Sequence, residues 1–581
     1  MLPLLWLVQE NQGYVSPGAE AWVAQILGVA ISRVREVVSF YNMFHSQAVG
    51  RRELRVCTSL PCRLRGADDL LRRIQESLKI SRGETTPNQE VTLTEVECLC
   101  ACEMAPMAQL DERFVGPLEG GAIDTIIQDA LMEPGNPQLT PEPAPFICSD
   151  GPVLSTRFRD PDGTWFEDYA ADGGYLAARK ALASMTPAQV IDEVSSAKLR
   201  GLGGAGFPTG RKWSFIPRET TKPKYLVVNA DEGEPGTFKD RYILERDPHA
   251  LLEGMIIAAY AIGSHKAYVY IRGEYFRPAR RLQRALDEAY SRSWLGKNIQ
   301  GTGFDLDVVI HRGAGAYICG EETALLTSLE GGKGFPKLKP PFPATSGLFS
   351  CPTIVNNVET LACVPFILRH GAERFANLGS DTQGGTRLFC VSGHVVRPGI
   401  YEASVGVTLR DLIDRAGGVR DGNKLKAVIP GGLSAKILRA NEIDVAMDFN
   451  SLMAAGTMAG SGGVIVMDET TSMIDALDSA VRFFADESCG QCSPCREGTG
   501  WSHRLMRRAS EGRGTLQDLD DLLGIAGDME GKTICVFADA ASWPVQSYIA
   551  KFRDEFEAHI RNGRKPGTER PQHAQADHRR L

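Results

Sequence analysis

Hydrophobic positions in the first 50 residues recur at the spacing of amphipathic helices. The pattern predicts three short helices, at residues 2–9, 19–27 and 32–40. Ser32 is a suitable N-cap for the third helix, because its hydroxyl can accept a hydrogen bond from a free backbone N–H. We therefore predict an N-terminal helical segment over residues 1–50.

From residue 53 onward, strand-like and helix-like segments alternate. Residues 54–56 and 90–95 have the apolar, β-branched character of strands, and residues 67–78 have the period of an amphipathic helix. This alternation predicts a small α/β domain over residues 51–132.

A proline-rich stretch marks the clearest boundary in the chain. Residues 133–147 contain five prolines, a composition that favours an extended linker. We assign the linker to residues 133–156, which suggests that two ancestral proteins have been joined end to end.

Strands and helices alternate again beyond the linker. The pattern predicts a strand, a helix, a strand, a helix and a strand at residues 224–229, 248–262, 266–271, 277–290 and 304–311. Strands separated by helices are typical of a mostly parallel sheet. We therefore predict a Rossmann-like α/β domain over residues 157–385.

The remaining pattern predicts two smaller domains and a tail. Short strands around one helix, at 409–416, predict a β-rich domain over residues 386–470. Residues 471–561 have helical periodicity throughout, and the basic, polar residues 562–581 predict a disordered tail. The predicted fold class is thus α/β multidomain.

Length and charge narrow the functional classes. The 581 residues are enough for three to five domains, and the net charge of −8 gives no general attraction to nucleic acid. The longest apolar stretch, residues 251–263, contains Glu253 and is shorter than the roughly 20 residues of a membrane-spanning helix. The N-terminus lacks the features of a signal peptide. Any membrane association is therefore expected to come through partners.

Cysteine spacing gives the strongest chemical signal. Of 14 cysteines, four lie between Cys489 and Cys535, in the arrangement Cys489-Gly-Gln-Cys492-Ser-Pro-Cys495 with Cys535 following 40 positions later. Three closely spaced thiolates and a distant fourth are typical of a [4Fe–4S] cluster. We interpret Gly490 and Pro494 as keeping the cysteine segment out of a helix. A structural zinc site is the alternative.

A second cysteine group precedes the linker. Cys57 and Cys62 follow one predicted strand, and Cys98 and Cys102 follow the next. Four thiolates on two adjacent loops suit a [2Fe–2S] cluster, and zinc is again the alternative. Cys100 lies between two of these proposed ligands and could compete with either.

Glycine-rich loops predict a phosphate-binding site. Gly201, Gly203 and Gly206 fit the G-x-G-x-x-G pattern, together with Gly204, but the preceding residues 186–199 are helical rather than a strand. Phe207-Pro208-Thr209 stands where the helix of an ordinary dinucleotide fingerprint should open. We interpret the glycines as a loop that presents backbone N–H groups to a phosphate, with Lys212 adding charge. A purely structural turn is the alternative.

Further polar groups follow the predicted strands, at the edge where open α/β sheets bind ligands. The first set, Asn229, Asp231, Glu232 and Glu234, suits the hydroxyls of a ribityl chain or ribose; a solvated acidic loop is the alternative. A second glycine loop contains Tyr317, Gly320, Glu321 and Glu322. The remaining groups are a rigid cationic loop with Lys339 and Phe342, and the paired amides Asn356 and Asn357.

These segments closely resemble the flavoprotein subunit of NADH dehydrogenase, the NADH-quinone oxidoreductase known as complex I. The resemblance covers residues 157–560 and rests on GAGFPTGRKWSF, NADEGEPGTFKDR, GAGAYICGEETALL, LKPPFPA, VNNVET, SCGQCSPCREGTGW and MEGKTICVFADAASWPVQ. Residues 1–132 resemble the thioredoxin-like [2Fe–2S] subunit of the same complex, through LVQENQGYVSP, VVSFYNMF, VCTSLPC and LTEVECLCACEMAPM. The chain is therefore similar to a fusion of the two.

The resemblance implies FMN in the central domain with NADH stacked on it, and it implies specific contacts. Positions that match flavin contacts are Gly203, Lys212, Asn229, Asp231, Glu232, Tyr317, Gly320, Glu321, Asn356 and Asn357. Positions that match nicotinamide-nucleotide contacts are Phe207, Phe215, Glu234, Glu322, Lys339 and Phe342. It also implies that residues 386–470 form a β-grasp, ubiquitin-like domain and that the C-terminal helices hold the [4Fe–4S] cluster.

Flavin performs the chemistry in such proteins, so no catalytic protein base is expected, and Glu234 and Glu322 are the nearest candidates. The implied partners are other subunits of a redox complex, with an iron–sulfur subunit accepting the electrons. The implied location is cytoplasmic, peripheral on the inner face of the membrane.

Alternative parent complexes are an NAD-reducing hydrogenase and an NAD-dependent formate dehydrogenase. A non-catalytic iron–sulfur scaffold is a further alternative. The sequence departs from the family pattern at Leu202, where arginine is usual, and at Cys100, where glycine is usual. The family's leading helix is also expected to be shortened.

Overall fold

The computed structural model describes residues 1–132, 146–149, 153–158 and 163–562. Most of the predicted linker and nearly all of the predicted disordered tail lie outside the described residues. Residues 146–149 belong to the predicted linker and form a strand.

The N-terminal helices pack on the central domain. They are α1 (Leu2–Gln12), α2 (Pro17–Leu27) and α3 (Ile31–Phe40). The Trp6 indole N–H donates to the carbonyl of Gly313 at 3.0 Å, and the Tyr41 hydroxyl donates to Ser328 Oγ at 2.7 Å. The prediction that Ser32 caps the third helix was wrong, because that helix begins one residue earlier, with Ala30 at the N-cap position and no side-chain cap.

The next domain is a four-stranded sheet with helices on it. Its elements are β1 (Arg52–Cys57), α4 (Leu60–Leu64), α5 (Ala67–Leu78), β2 (Val91–Val96), β3 (Ala108–Leu110), β4 (Arg113–Val115) and α6 (Ala122–Leu131). The strand order is β2-β1-β3-β4, with β1 and β2 parallel and β1 and β3 antiparallel. Leu70 and Ile74 of α5 are buried with Leu54 of β1, as the amphipathic pattern of that helix predicts.

The central domain contains a parallel four-stranded sheet with helices around it. The chain first contributes one strand, β5 (Phe146–Ser149), to another domain. The elements of the central domain follow: α7 (Phe166–Ala171), α8 (Leu176–Ser184), α9 (Pro187–Ser196), α10 (Thr209–Ser214), β6 (Tyr225–Ala230), α11 (Lys239–Arg246), α12 (Pro248–Ile262), β7 (Lys266–Ile271), α13 (Phe276–Ser291), β8 (Asp307–Arg312), α14 (Glu322–Leu329), α15 (Pro343–Ser346), β9 (Thr353–Asn357), α16 (Val358–Ala362), α17 (Val364–His370) and α18 (Ala372–Ala376).

The order of the central sheet is β8-β7-β6-β9, and every pairing is parallel. Helix α12 is buried nearly all round, which explains its predominantly apolar sequence. The predicted strand–helix–strand unit from β6 to β7 is therefore present.

A six-stranded sheet follows, in the order β13-β12-β14-β10-β11-β5. Its elements are β10 (Thr386–Gly393), β11 (Gly399–Ser404), α19 (Leu409–Arg415), β12 (Leu425–Ile429), β13 (Leu438–Arg439), α20 (Phe449–Ala454) and β14 (Gly463–Asp468). The Thr408 side chain caps α19 in a capping box with Asp411. We call residues 386–470 the β-grasp domain.

The C-terminal helices pack on both neighbours. They are α21 (Met473–Glu487), α22 (Ser493–Ser510), α23 (Leu516–Met529) and α24 (Phe537–Asn562). The buried Arg482 of α21 donates to Thr58 Oγ1 at 2.8 Å and pairs with Glu95 at 2.6 Å, which joins this bundle to the N-terminal α/β domain. No helix among the described residues is long and apolar enough to cross a membrane.

Candidate functional site

The polar loops predicted from the sequence meet at one edge of the central sheet. Strand β6 ends at Ala230 and β8 at Arg312, each followed by one of these loops, and β9 ends with the paired amides Asn356 and Asn357. Asn229 lies opposite Tyr270 on one side and Asn357 on the other. Because the strands are parallel, their carboxyl ends share this edge, where α/β sheets bind ligands.

The glycine-rich loop closes on itself beside this edge. The Gly201 N–H donates to the carbonyl of Phe207, and the Thr209 N–H donates to the carbonyl of Leu199, each at 2.9 Å. A Cβ atom on Gly203 would lie 2.8 Å from Cβ of Asn357, so only a residue without a side chain allows this close approach.

Two interpretations of this loop change with the structure. The preceding helix, α9, is present, but a short helix does begin at Thr209, contrary to the sequence interpretation. Leu202 is only 2% exposed and lies in the hydrophobic core. Its carbonyl accepts a hydrogen bond from Arg387 at 3.1 Å. The side chain at this position therefore packs in the interior and supplies no phosphate contact.

The acids of the loop after β6 have different surroundings. Asn229 donates to the carbonyl of Gly320 at 2.8 Å, which joins the first and second loops. Asp231 Oδ2 is buried without a hydrogen-bond partner among the described residues, and burial raises the pKa of this carboxyl. Asp231 is therefore the acid of this loop that is left to bind a ligand hydroxyl.

Glu232 contributes mainly to the local structure. Its two oxygens accept hydrogen bonds from the backbone N–H groups of Asp240 and Arg241 at 2.9 and 3.0 Å, at the start of α11, and from the Tyr275 hydroxyl at 2.9 Å. Burial and the nearby Asp240 raise the pKa of Glu232 to about 7. Both oxygens are thus already occupied by groups of the protein.

A buried ionic group behind the loop was not identified from the sequence. Lys239 Nζ lies 2.8 Å from Asp240 Oδ1 and 2.9 Å from Glu359 Oε2, and all three residues are buried. Asn357 donates to the second oxygen of Asp240 at 2.6 Å. A usable signal was present, because the quoted motifs FKDR and NNVET place charges beside apolar strand ends. This group fixes the predicted flavin contact Asn357.

The second loop and the cationic loop form a compact charge cluster. Lys212 contacts Glu322 at 3.1 Å, and Lys339 contacts Glu321 at 2.9 Å and Glu322 at 3.2 Å. Burial raises the pKa of Glu322, but the two lysines outweigh burial and hold it below its usual value. The other oxygen of Glu321 accepts from the backbone N–H of Thr323, so Glu321 also caps α14.

Exposed aromatic rings lie near the glycine loop. Phe207 and Phe215 are 42% and 49% exposed, their ring centroids are 5.9 Å apart, and the Arg211 guanidinium lies 5.9 Å from each. Phe342 is 58% exposed on the cationic loop. Exposed rings are available for stacking on a flat heterocycle.

Tyr317 connects the nucleotide-binding region to the C-terminal helices. Its hydroxyl donates to Glu234 Oε2 at 2.5 Å, and its backbone N–H donates to Glu487 Oε2 at 3.0 Å. Its ring packs against Phe483 and Phe537 with centroid distances of 5.0 and 5.9 Å. Glu487 is two residues from Cys489, so Tyr317 lies between the predicted flavin pocket and the predicted exit cluster.

The C-terminal cysteines converge at the end of α21. Cys495 is 7% exposed, and Cys489, Cys492 and Cys535 are partly buried. Burial raises the pKa of the Cys495 thiol to about 11, and the nearby Cys489 and Cys492 add to this. Contrary to the prediction, Pro494 does not keep the segment out of a helix. It lies in the first turn of α22, where proline is tolerated, and Cys495 belongs to that turn.

The N-terminal cysteines also come together. Cys57, Cys62, Cys98 and Cys102 are all buried. The Cys57 thiol is within hydrogen-bonding reach of Cys62 and Cys98, and Cys98 is within reach of Cys102. This donor set suits a small iron–sulfur cluster.

Cys100 faces away from most of this group. Its Sγ lies 3.5 Å from that of Cys98 and 3.7 Å from the carbonyl oxygen of Glu234. Its φ is +49°, a left-handed conformation that favours glycine. The departure from the family pattern therefore places a thiol at a strained backbone position between the cysteine group and the nucleotide loop.

Arg272 joins the N-terminal cysteine loop to the central domain, and this contact was not identified from the sequence. Its guanidinium donates to the carbonyl of Cys98 at 2.8 Å and to that of Glu232 at 2.6 Å. It follows β7 directly, as the predicted ligand residues follow their strands. The N-terminal cysteine loop is thereby attached to the sheet edge.

The pocket residues fit FMN. The unpartnered Asp231 Oδ2 is suited to accept from a ribityl hydroxyl, since a carboxyl oxygen can accept hydrogen bonds. The glycine loop packs closely against Asn357 through Gly203, and Lys212 supplies a cation. Together with the two sets of four cysteines, these features define a class of protein: a flavin-binding protein with two iron–sulfur centres.

Comparison with known proteins identifies the domains. Residues 1–131 match the thioredoxin-like [2Fe–2S] ferredoxin family, residues 194–366 the Nuo51 FMN-binding domain, residues 387–466 the SLBB domain, and residues 475–559 the NADH-ubiquinone oxidoreductase-F iron–sulfur binding region. The predicted multidomain fold and the predicted cofactors, FMN, [2Fe–2S] and [4Fe–4S], are thereby confirmed.

Relatives that match most of the chain make the assignment more specific. The second NADH-quinone oxidoreductase F subunit of Rhizobium meliloti (strain 1021) is 52% identical over 416 residues, which cover 71% of this chain and 99% of that protein. The corresponding F subunit of Rickettsia typhi (strain ATCC VR-144 / Wilmington) is 55% identical over 375 residues, which cover 64% and 89%. The chain belongs to the family of NADH-quinone oxidoreductase F subunits.

A solved structure extends the similarity to the N-terminal part. A chain of an NAD+-reducing [NiFe]-hydrogenase in the air-oxidized state superimposes with a TM-score of 0.84 at 32% identity, over 96% of this chain and 93% of that one. The arrangement of a thioredoxin-like domain followed by the flavoprotein is therefore shared with that protein.

We expect Glu234→Ala to weaken nucleotide binding without loss of FMN. Losing a hydrogen bond to an ionised acceptor costs about 1.5–3 kcal/mol, so the KM for NADH should rise roughly 10- to 150-fold. Flavin content and steady-state kinetics with ferricyanide check this. Flavin loss with an unchanged KM in the remaining holoprotein would reverse the assignment.

We expect Cys100→Gly to retain the binuclear cluster. Glycine adopts the positive φ of this position without strain, and the four-thiol group does not need Cys100. The EPR signal of the reduced binuclear cluster should keep its intensity and g-values. Disappearance of the signal would identify Cys100 as a ligand.

Proposed function

We propose that this chain is the NADH-oxidising, electron-input subunit of a larger redox complex. The observation that carries this proposal is the position of Tyr317, which hydrogen-bonds both Glu234 of the nucleotide loop and Glu487 beside the C-terminal cysteines. A protein that takes electrons from a nucleotide and passes them to a cluster needs these two regions in contact.

The residues at the sheet edge are assigned to two ligands. Bound FMN supplies hydride-accepting chemistry and releases the electrons singly. The residues proposed to hold it are Gly201, Gly203, Gly204, Gly206, Lys212, Asn229, Asp231, Glu232, Tyr317, Gly320, Glu321, Asn356 and Asn357. Given the internal bonds of Glu232 and Asn357, these two act mainly by holding the loop in shape.

NADH is assigned to the outer part of the pocket. Phe207, Phe215 and Phe342 offer exposed rings for stacking, and Glu234, Glu322 and Lys339 offer polar contacts. Because Lys339 already neutralises part of the charge on Glu322, the pocket does not strongly repel the nucleotide phosphates. No protein group is assigned as a catalytic base.

The two clusters have different proposed roles. Cys489, Cys492, Cys495 and Cys535 hold the [4Fe–4S] cluster through which electrons leave. Cys57, Cys62, Cys98 and Cys102 hold the [2Fe–2S] cluster, which lies off the main path. Burial, together with the nearby charge of Glu321, raises the pKa of the Cys535 thiol to about 12. The ring contact between Tyr317 and Phe537, which is two residues from Cys535, supports an exit cluster close to the flavin loops.

The parent complex has two candidates. The F-subunit relatives favour a respiratory NADH-quinone oxidoreductase. The hydrogenase chain, which matches 96% of this chain including its N-terminal domain, favours the NAD-reducing part of a hydrogenase. In the first case, we expect the protein on the cytoplasmic side of the membrane, attached through partner subunits. Identification of the subunits that co-purify with it separates the two.

We expect the purified protein to contain one FMN and about six iron atoms, the sum of a binuclear and a tetranuclear cluster. Iron and acid-labile sulfide analysis, with flavin released by acid, checks this. About four irons would mean that the N-terminal site is empty or holds zinc.

We expect Cys535→Ala to separate flavin reduction from onward transfer. Cys535 lies outside the Cys489–Cys495 run, so its loss removes one thiolate and leaves the flavin loops unchanged. In stopped flow, NADH should still bleach the flavin, and ferricyanide should still be reduced. Electron delivery to the co-purified partner should collapse.

Cys351→Ala is the matched control, because Cys351 is a buried cysteine outside both groups. It should retain partner reduction. If the Cys535→Ala variant still reduces the partner, the electrons must instead leave through the N-terminal cluster. If the variant retains its flavin but NADH no longer bleaches it, the cluster is required for the hydride step itself.

A further inference from the structure

One turn of the β-grasp domain, residues 432–434, contacts the nucleotide loop at Glu234 and Pro235. The N–H of Leu433 donates to the carbonyl of Pro235 at 3.1 Å. The next residue, Ser434, donates to Glu234 Oε1 twice, from its backbone N–H and from its hydroxyl, each at 2.7 Å. Ser434 is 7% exposed, so these bonds are largely shielded from water.

The geometry leaves Glu234 with little freedom. One carboxylate oxygen is held by Ser434 and the other by Tyr317, from two different domains. Gly432, at φ +97°, packs so closely that a Cβ atom there would lie 2.5 Å from Cγ of Glu234. Each carboxylate oxygen has further lone-pair sites, so Glu234 can still accept from a ligand.

These contacts also offset the cost of burying the carboxylate. Burial is the larger effect and raises the pKa of Glu234 above its usual value, and the bonds from Tyr317 and Ser434 counter part of this rise. A fixed acceptor binds a ligand donor better than a mobile one, because its orientation is already set before binding.

We propose that Ser434 of the β-grasp domain is a positioning residue of the nucleotide pocket: it orients Glu234, and through Glu234 it sets the affinity for the nicotinamide nucleotide. This proposal rests on the function proposed above and extends it, because it gives the β-grasp domain a role in substrate binding. Ser434 acts through Glu234 and need not contact the nucleotide.

Ser434→Ala tests the proposal in the full-length holoprotein. The backbone N–H remains, so the effect is smaller than that of Glu234→Ala: the KM for NADH should rise roughly 3- to 30-fold, with FMN content and kcat for ferricyanide nearly unchanged. The dissociation constant of NAD+ should rise by a similar factor. Ser434→Thr, which keeps the hydroxyl, should restore most of the affinity.

Two controls separate positioning from simple support of the fold. Ser404→Ala removes a serine hydroxyl whose bond, from the Gly406 N–H, stays within the β-grasp domain, and it should behave as wild type. In the Glu234→Ala background, Ser434→Ala should cause no further rise in KM, because the group it orients is gone. Additive effects of the two changes would overturn the proposal.

The other possible results of these experiments also support or overturn the proposal. An unchanged KM and NAD+ affinity in Ser434→Ala overturns the proposal, and so does loss of FMN from that variant. If Ser434→Ala is obtained only in unfolded form, Gly432→Ala tests the proposal instead, because the added Cβ would displace Glu234. A raised KM for NADH with normal FMN content supports the proposal, and a normal KM overturns it. Failure of NADH to bleach wild-type flavin would instead contradict the proposed function itself.

Discussion

The need to pair buried charges in one loop determines how the domains fit together. The loop after β6 and the start of α11 carry Glu232, Lys239 and Arg241 into the interior. Isolated buried charges are very unfavourable, so each needs a partner. Lys239 finds Asp240 and Glu359 within its own domain, whereas Arg241 pairs with Glu103 of the N-terminal domain. The loop can keep its shape only when these partners are in place.

This constraint explains why the redox centres are close to the same loop. Glu103 is the residue after Cys102, so the ion pair with Arg241 also fixes the N-terminal cysteine loop. Arg272 adds a second attachment, at Cys98. On the opposite side, Tyr317 links the loop to the helix that precedes Cys489. These polar contacts therefore help to fix where the two cysteine groups lie relative to the pocket.

Much of the fold and most of the site followed from local sequence signals. The strand–helix–strand unit was predictable because the buried parallel strands and α12 are predominantly apolar, and the binding loops were predictable because polar residues lie at strand ends. Errors occurred where a residue has two structural uses. Pro494 starts a helix as readily as it prevents one, and Ser32 lies inside the first turn rather than at the cap.

Contacts between distant segments were not predictable in this way. The bonds from Ser434 to Glu234 join residues 200 positions apart, and the Arg482 contact with Thr58 joins residues 424 apart. Neither serine nor arginine has a local pattern that names such a partner, because the contact depends on the packing of whole domains. The same holds for Leu202, whose burial depends on the core formed around it.

The pairing of Arg241 with Glu103 has a further consequence for assembly, because both residues lie on one polypeptide. Were the two parts separate proteins, this contact would form only by bimolecular association and would be lost on dilution. Covalent connection replaces that step with an intramolecular one, at an effective concentration set by the connecting segment. The stoichiometry of the two parts is then fixed at translation, and their association no longer depends on protein concentration.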